Sequence, residues 1–187
     1  YDNEWSYSSQ VIKLLETIIK KNENSKNNDN VEKNFIENAD VLTKNIIMRV
    51  DWNVPYDLNN YKINDDFRIT SSLKTIKKLL SKDINRLLII THLGRPKDEN
   101  DTKYSLKQFL SQCQTYFDEE IKFLEKGIHN DSIDEQNKNE YKIYLCENIR
   151  FHQEETKFNI NSEVTTIFNQ MGDLFINDAF GCLHRKH

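Results

Sequence analysis

Leu87-Leu88-Ile89-Ile90-Thr91-His92-Leu93-Gly94-Arg95-Pro96 decides how this chain folds. Four consecutive branched apolar residues predict a strand buried on both faces, the pattern of a parallel sheet covered by helices. The run stops abruptly at polar residues and a Gly, as a strand does when it ends in a loop. The same grammar recurs on either side. Ile46-Ile47-Met48-Arg49-Val50 predicts a strand and runs into Asp51-Trp52-Asn53. Ile143 to Cys146 predicts a strand that runs into Glu147-Asn148-Ile149-Arg150. Leu174-Phe175-Ile176 predicts the last strand, before Asn177-Asp178-Ala179-Phe180-Gly181-Cys182-Leu183-His184-Arg185. Ile121 to Leu124 predicts one more.

Helical spacing separates these strands. Asp66 to Leu80 predicts a helix with Ile69, Leu73, Ile76 and Leu80 on its inner face. Ser105 to Phe117 predicts a helix with Leu106, Phe109 and Leu110 inward, and Ser162 to Met171 predicts another. Asn130 to Glu140 is polar and reads as a loop or a frayed helix. Strands alternating with helices predict an α/β domain with a Rossmann-like parallel sheet flanked by helices.

Outside that domain the composition changes. Ser9 to Lys20, with Val11, Leu14, Leu15, Ile18 and Ile19 on one stripe, predicts an amphipathic helix. Residues 21–34 begin with the run Lys21-Asn22-Glu23-Asn24-Ser25-Lys26-Asn27-Asn28-Asp29-Asn30, which has too little apolar surface to build a core and reads as a polar linker. The predicted organisation is therefore a tail over 1–20, a linker over 21–34 and an α/β domain over 35–187. A chain that opens at Tyr1 with no leader pattern reads as a fragment.

Composition excludes several classes. Ten Phe, eight Tyr and two Trp in 187 residues supply a core, which argues against full disorder. No apolar run reaches the length of a membrane span, so no membrane partner is expected. A net charge of −4 argues against a general nucleic-acid binder. Cys113, Cys146 and Cys182 are scattered and form no CxxC pair, so no metal site is expected and reduced thiols in the cytoplasm are the natural reading.

Ligands of parallel α/β sheets bind beyond the carboxyl ends of the strands. Here those ends carry Asp, Asn, His and Arg. Only six of the 26 cationic residues are Arg, at positions 49, 68, 86, 95, 150 and 185. Arg95, Arg150 and Arg185 lie in strand-end turns, and Arg68 opens the helix after the first strand. Arg forks bind phosphate and carboxylate bidentately, so the rim suits a small, highly charged anion. Asp51 and Asn53 offer acceptors for a hydroxyl. The competing reading is that loops are polar anyway and that each Arg pairs with a neighbouring acid.

Four motifs carry a family resemblance. Met48-Arg49-Val50-Asp51-Trp52-Asn53-Val54-Pro55, Thr91-His92-Leu93-Gly94-Arg95-Pro96, Glu147-Asn148-Ile149-Arg150-Phe151-His152 with Glu154-Glu155, and Ile176 to His187 resemble the successive signatures of phosphoglycerate kinase. Asp66-Phe67-Arg68-Ile69 resembles its helix-opening arginine. The resemblance covers about Phe35 to His187 and implies the N-terminal, substrate-binding domain of a glycolytic kinase. That family transfers the acyl phosphate of 1,3-bisphosphoglycerate to ADP, giving 3-phosphoglycerate and ATP. The resemblance implies Asp51 and Asn53 at the glycerate hydroxyl and carboxylate, and His92, Arg95, Arg150 and Arg185 at the 3-phosphate. It implies His184 as support for that basic patch, and Arg68 at the carboxyl end as the catalytic residue that stabilises the transferring phosphoryl group. Mg-ADP and Mg-ATP would bind a nucleotide domain that these residues do not include. The alternative is a 3-phosphoglycerate-binding module without catalysis. Trp52 stands where the family usually has Phe, Cys182-Leu183 replaces a Thr-Ala type pair, and Lys186 replaces a small residue. His152 and Cys146 read as structural, and His129 as a surface residue.

Tyr1-Asp2-Asn3-Glu4-Trp5-Ser6-Tyr7-Ser8 with the following helix resembles the C-terminal end of glyceraldehyde-3-phosphate dehydrogenase, although Ser6 stands where Gly is usual. There the residue matching Asn3 contacts the nicotinamide of NAD. Together the two resemblances imply the junction of a dehydrogenase–kinase fusion.

Overall fold

Branched apolar runs form the predicted sheet, and its order sets the site. The computed structural model describes residues 39–60, 62–155, 157 and 162–180. The predicted N-terminal helix, the linker, Asn3, His184 and Arg185 lie outside the described residues. All described elements follow Asp40 and belong to the unit that starts at Val41. In chain order they are β1 (Asn45–Arg49), β2 (Tyr56–Asp57), β3 (Lys62–Ile63), α1 (Phe67–Leu80), β4 (Arg86–Ile90), α2 (Leu110–Gln114), β5 (Ile121–Leu124), α3 (Asn130–Asn137), β6 (Ile143–Cys146), α4 (Glu163–Met171) and β7 (Leu174–Asn177).

The main sheet has the order β5-β6-β4-β1-β7. Every pairing in it is parallel, with Ile47 opposite both Leu88 and Phe175, and Leu88 opposite Tyr144. All five residues of β4 are buried because the strand is central and covered on both faces. At the edge, β7 is only half-buried throughout. On one face Ile47, Leu88, Tyr144, Ile167 and Met171 form a continuous core with Ile128 and Ile149. Each such fully buried aliphatic side chain contributes about 1.5–3 kcal/mol relative to exposure.

Helix α1 turns Ile69, Ser72, Ile76 and Leu79 inward. Leu73 and Leu80, expected on that face, are only half-buried. The stripe is rotated because Ser72, a polar residue, is drawn inside by a hydrogen bond from the Trp52 indole.

One further expectation is corrected, and one left open between loop and helix is decided. The predicted helix over Ser105–Phe117 is broken into a 3-10 turn, Leu106–Phe109, and the five-residue α2. Phe109 leaves helical geometry at φ −113° and ψ 11°. The two glutamines that follow serve other strands: Gln112 Oε1 accepts from the Ile63 N–H at 2.9 Å and Gln114 Oε1 from the Ile121 N–H at 2.8 Å. Leu106 and Phe109 are buried as expected, but Cys113 rather than Leu110 completes their face. The polar stretch after His129 forms a real helix, α3, whose N-terminus is capped by His129 Nδ1 accepting from the Asp131 N–H at 3.1 Å. Ile133 anchors it on the core. The antiparallel β2–β3 pair was not predicted; strands of two residues leave no readable alternation.

Candidate functional site

The loop after β1 is locked to the end of β4 by one hydroxyl. Buried Thr91 accepts from the Trp52 N–H at 2.9 Å and donates through the same oxygen to the Val50 carbonyl at 2.9 Å. Asp51 is thereby held at the rim, where its carboxylate pairs with Arg68 from the first turn of α1. The Arg68 side chain is 49% exposed, so this pair is worth little, about 0–1 kcal/mol. A guanidinium so weakly committed can exchange Asp51 for a ligand anion at small cost.

After β4 the chain reverses at Gly94, with φ +57°. A Cβ there would stand 2.2 Å from the Tyr104 ring, so both backbone and space demand glycine. The Gly94 N–H donates to Asn53 Oδ1 at 2.8 Å, and its carbonyl accepts from Arg150 Nη1 at 2.6 Å. One peptide corner thus gathers residues from beyond β1, β4 and β6. Arg95, next in the chain, is exposed. His92 is buried, at 3% exposure.

After β6, Glu147 accepts from Ser105 Oγ at 2.5 Å and from the Leu106 N–H at 2.8 Å. The buried Asn148 amide is used in full. Its Nδ2 donates to the Leu93 and Tyr104 carbonyls, both at 2.9 Å, while its Oδ1 accepts from the Leu93 N–H at 3.3 Å and the Arg150 N–H at 3.1 Å. Such a saturated amide fixes two loops against each other. Further on, Glu155 closes a two-bond pair with Arg49 on β1, both largely buried.

At the end of β7, the Asp178 N–H donates to the Arg49 carbonyl at 2.8 Å, and Thr75 Oγ1 reaches Asp178 Oδ1 at 3.5 Å. Burial pushes the Asp178 carboxyl above its ordinary value, and the Thr75 bond only partly opposes this. Asp51, Arg68, Ser71, Ser72 and Asp178 line a cleft of about 360 Å³, with Phe67 and Phe180 completing it.

Strand-end loops with this order of Asp, Asn, His, Gly and Arg match a known family. A family model described as phosphoglycerate kinase matches residues 36–187. The chain belongs to the phosphoglycerate kinase family. It is 37% identical over 153 residues to the phosphoglycerate kinase of Coprothermobacter proteolyticus, covering 81% of this chain and 38% of that protein. It is 39% identical over 162 residues to that of Mesomycoplasma hyopneumoniae, covering 83% of this chain and 39% of that protein. The crystal structure of phosphoglycerate kinase from Pyrococcus horikoshii superposes with a TM-score of 0.69 at 25% identity, covering 81% of this chain and 38% of that one. The chain therefore spans less than half the length of the relatives it matches.

The phosphoglycerate kinase signatures fall where ligands of a parallel sheet bind. Asp51 and Arg68 share the cleft, and Asn53 and Arg150 meet through Gly94, with Arg95 beside them. His92, expected as a ligand-binding residue, lies buried two residues beyond the end of β4, beside the Gly94 corner. The Asn53 oxygen, expected as an acceptor for ligand, accepts from the Gly94 N–H, and an amide oxygen can accept two such bonds. Arg49 follows the competing reading and simply pairs with an acid. His152 is structural: its Nε2 accepts from the Ile128 N–H at 3.1 Å, and burial holds the imidazole below its ordinary value. Cys146 is fully buried and its thiol is pushed up by burial.

The scaffolding roles of Thr91, Ser72, Glu147, Asn148 and Glu155 were not predicted. For all but Ser72, which lies outside the motifs, the signal lay in their position inside them, but their partners are 20 to 106 residues away. Among the described residues no group of three His, Cys, Asp or Glu is placed to hold a metal ion. No described helix is long and apolar enough to cross a membrane.

Proposed function

We propose that this chain supplies the 3-phosphoglycerate-binding half of a phosphoglycerate kinase. The observation that carries the reading is the Gly94 corner, where the Asn53 amide oxygen and the Arg150 guanidinium each bond the same residue's backbone. Arg150, Arg95 and Arg185 hold the 3-phosphate together with His92, and His184 supports that patch. Asp51 and Asn53 bind the glycerate hydroxyl and carboxylate region. Arg68 leaves Asp51 for the carboxyl end of the ligand and stabilises the transferring group. A terminal oxygen of ADP forms the new P–O bond as the acyl phosphate bond breaks, and the electron pair stays on the departing 3-phosphoglycerate carboxylate. Such transfer needs positioning and charge neutralisation rather than a nucleophilic side chain, which is what an Arg-rich rim provides.

Mg-ADP and Mg-ATP belong to residues beyond this chain, in keeping with the share of its relatives that it spans. The described residues offer no donor set for the metal, so no step here runs through it. The same partial span favours a second reading, in which the chain alone binds 3-phosphoglycerate and catalyses nothing. The family supports a cytoplasmic small-molecule enzyme. We also propose that Tyr1–Lys20 belongs to a fused dehydrogenase, with Asn3 at its NAD, and that residues 21–34 link it to the kinase domain. Support for that comes from the Tyr1–Ser8 run alone.

Titration calorimetry of 3-phosphoglycerate against the native protein that carries this chain tests the site. Saturable binding that Arg150→Lys weakens is expected, because Lys cannot reproduce the fork. No heat at millimolar ligand would overturn the assignment. The mass of the native protein tests the fusion: a value near that of a kinase alone would remove it.

A further inference from the structure

We infer that Trp52 and Ser72 are positioning residues that set Arg68 against the rim. This inference rests on the proposed function only for the identity of the ligand. Trp52 lies between Asp51 and Asn53 and is fully buried. Its backbone N–H is held by Thr91 at 2.9 Å, so its main chain is tied to the end of β4. Its indole Nε1 points the other way and donates to Ser72 Oγ at 2.9 Å. Ser72 in turn donates to the Ile69 carbonyl at 2.8 Å within its own helix. One side chain therefore bridges the sheet and α1.

The bridge runs beside the Asp51–Arg68 pair. Residues four apart lie on one helix face, so Ser72 sits one turn beyond Arg68 on the same side. Asp51 and Trp52 are adjacent in the chain. The two links, Asp51 to Arg68 and Trp52 to Ser72, are thus parallel struts between the same loop and the same helix. The outer strut is a half-exposed ion pair, which screening makes too weak to set a geometry. The inner one is a desolvated, directional bond. Phe at position 52 would fill the same space but has no N–H to give, so Ser72 would lose its indole partner. Near its N-terminus α1 is also held by buried Ile69 and by an exposed hydrogen bond from Tyr116 to Asp66.

The test is a mutant cycle read by turnover of the native protein with 3-phosphoglycerate. Trp52→Phe and Ser72→Ala are each expected to lower turnover about 2- to 10-fold, the scale of one hydrogen bond, with the Michaelis constant changed much less. The double variant should lose no more than either single one. Neither should add a loss in an Arg68→Ala background, since there is no guanidinium left to place. Losses that add to Arg68→Ala, or a lowered melting temperature with unchanged turnover, would overturn the inference and leave Trp52 as core packing. If the wild-type protein binds no 3-phosphoglycerate, the functional assignment fails separately. A crystal structure of Ser72→Ala then decides: a shifted Arg68, parted from Asp51, supports the strut, and an unchanged pair refutes it.

Discussion

The Gly94 N–H donates to Asn53 Oδ1 at 2.8 Å, which ties the loop after the central strand to the loop after its neighbour. That bond exists only because Gly94 adopts φ +57°, where a side chain would collide with Tyr104. Gly94→Ala is expected to cost about 1–2 kcal/mol from the left-handed backbone alone. The shifted corner should also release Asn53 and Arg150 together. Chemical denaturation checks the first effect, and 3-phosphoglycerate affinity the second.

Arg68 is half-exposed and paired with Asp51 in the resting structure. A group recruited to developing charge acts on the transition state more than on ground-state binding. Arg68→Ala in the native protein should lower turnover by about 100-fold or more, the scale of losing one transition-state donor. The Michaelis constant should change much less. Equal losses in both would assign Arg68 to ordinary binding.

His152 must stay neutral to accept from the Ile128 N–H, and burial lowers its affinity for a proton below the ordinary 6.5. The unfolded chain then binds more protons than the native one, so stability rises with pH across this interval. Its contribution is complete above pH 6.5 and falls as pH drops through the lowered folded value. His152→Gln should flatten the acid side of a melting-temperature profile as pH falls below 6.5.

Asp178 has the opposite sign. Burial raises its carboxyl above 3.8, so the native state holds the proton more tightly than the unfolded chain. Its favourable contribution is present below pH 3.8 and is lost as pH rises through the folded value. Asp178→Asn keeps an acceptor for Thr75 and removes the buried charge. The variant should melt higher than wild type at pH 7, with the gap closing near pH 3.

Much of the site was legible because its residues sit beside strands that announce themselves. Ile46 to Met48 and Leu87 to Ile90 are unbroken apolar runs, and the polar residues that follow are forced to the rim by chain continuity. Helix α1 was readable from its period. Helix α3 was less so, since its stability comes from a cap at His129 and from Ile133 touching a distant core. The break at Phe109 was unreadable because Gln112 bonds to a strand 49 residues away and Gln114 to the start of the next strand, neither of which helical spacing registers.

By itself the amino-acid order determined the α/β alternation, the parallel sheet, the family and the loops that bear the site. Those follow from local periodicity and from residue types at fixed spacing, which any stretch of chain carries within itself. Only the tertiary structure decided which groups in those loops reach the surface and which are buried or bonded within the rim. Arg49 is taken by Glu155, Asn148 is saturated by backbone, His92 is packed inside, and Arg68 stays half-free beside Asp51. Those outcomes depend on partners up to 106 residues apart, and on burial, which no local window contains.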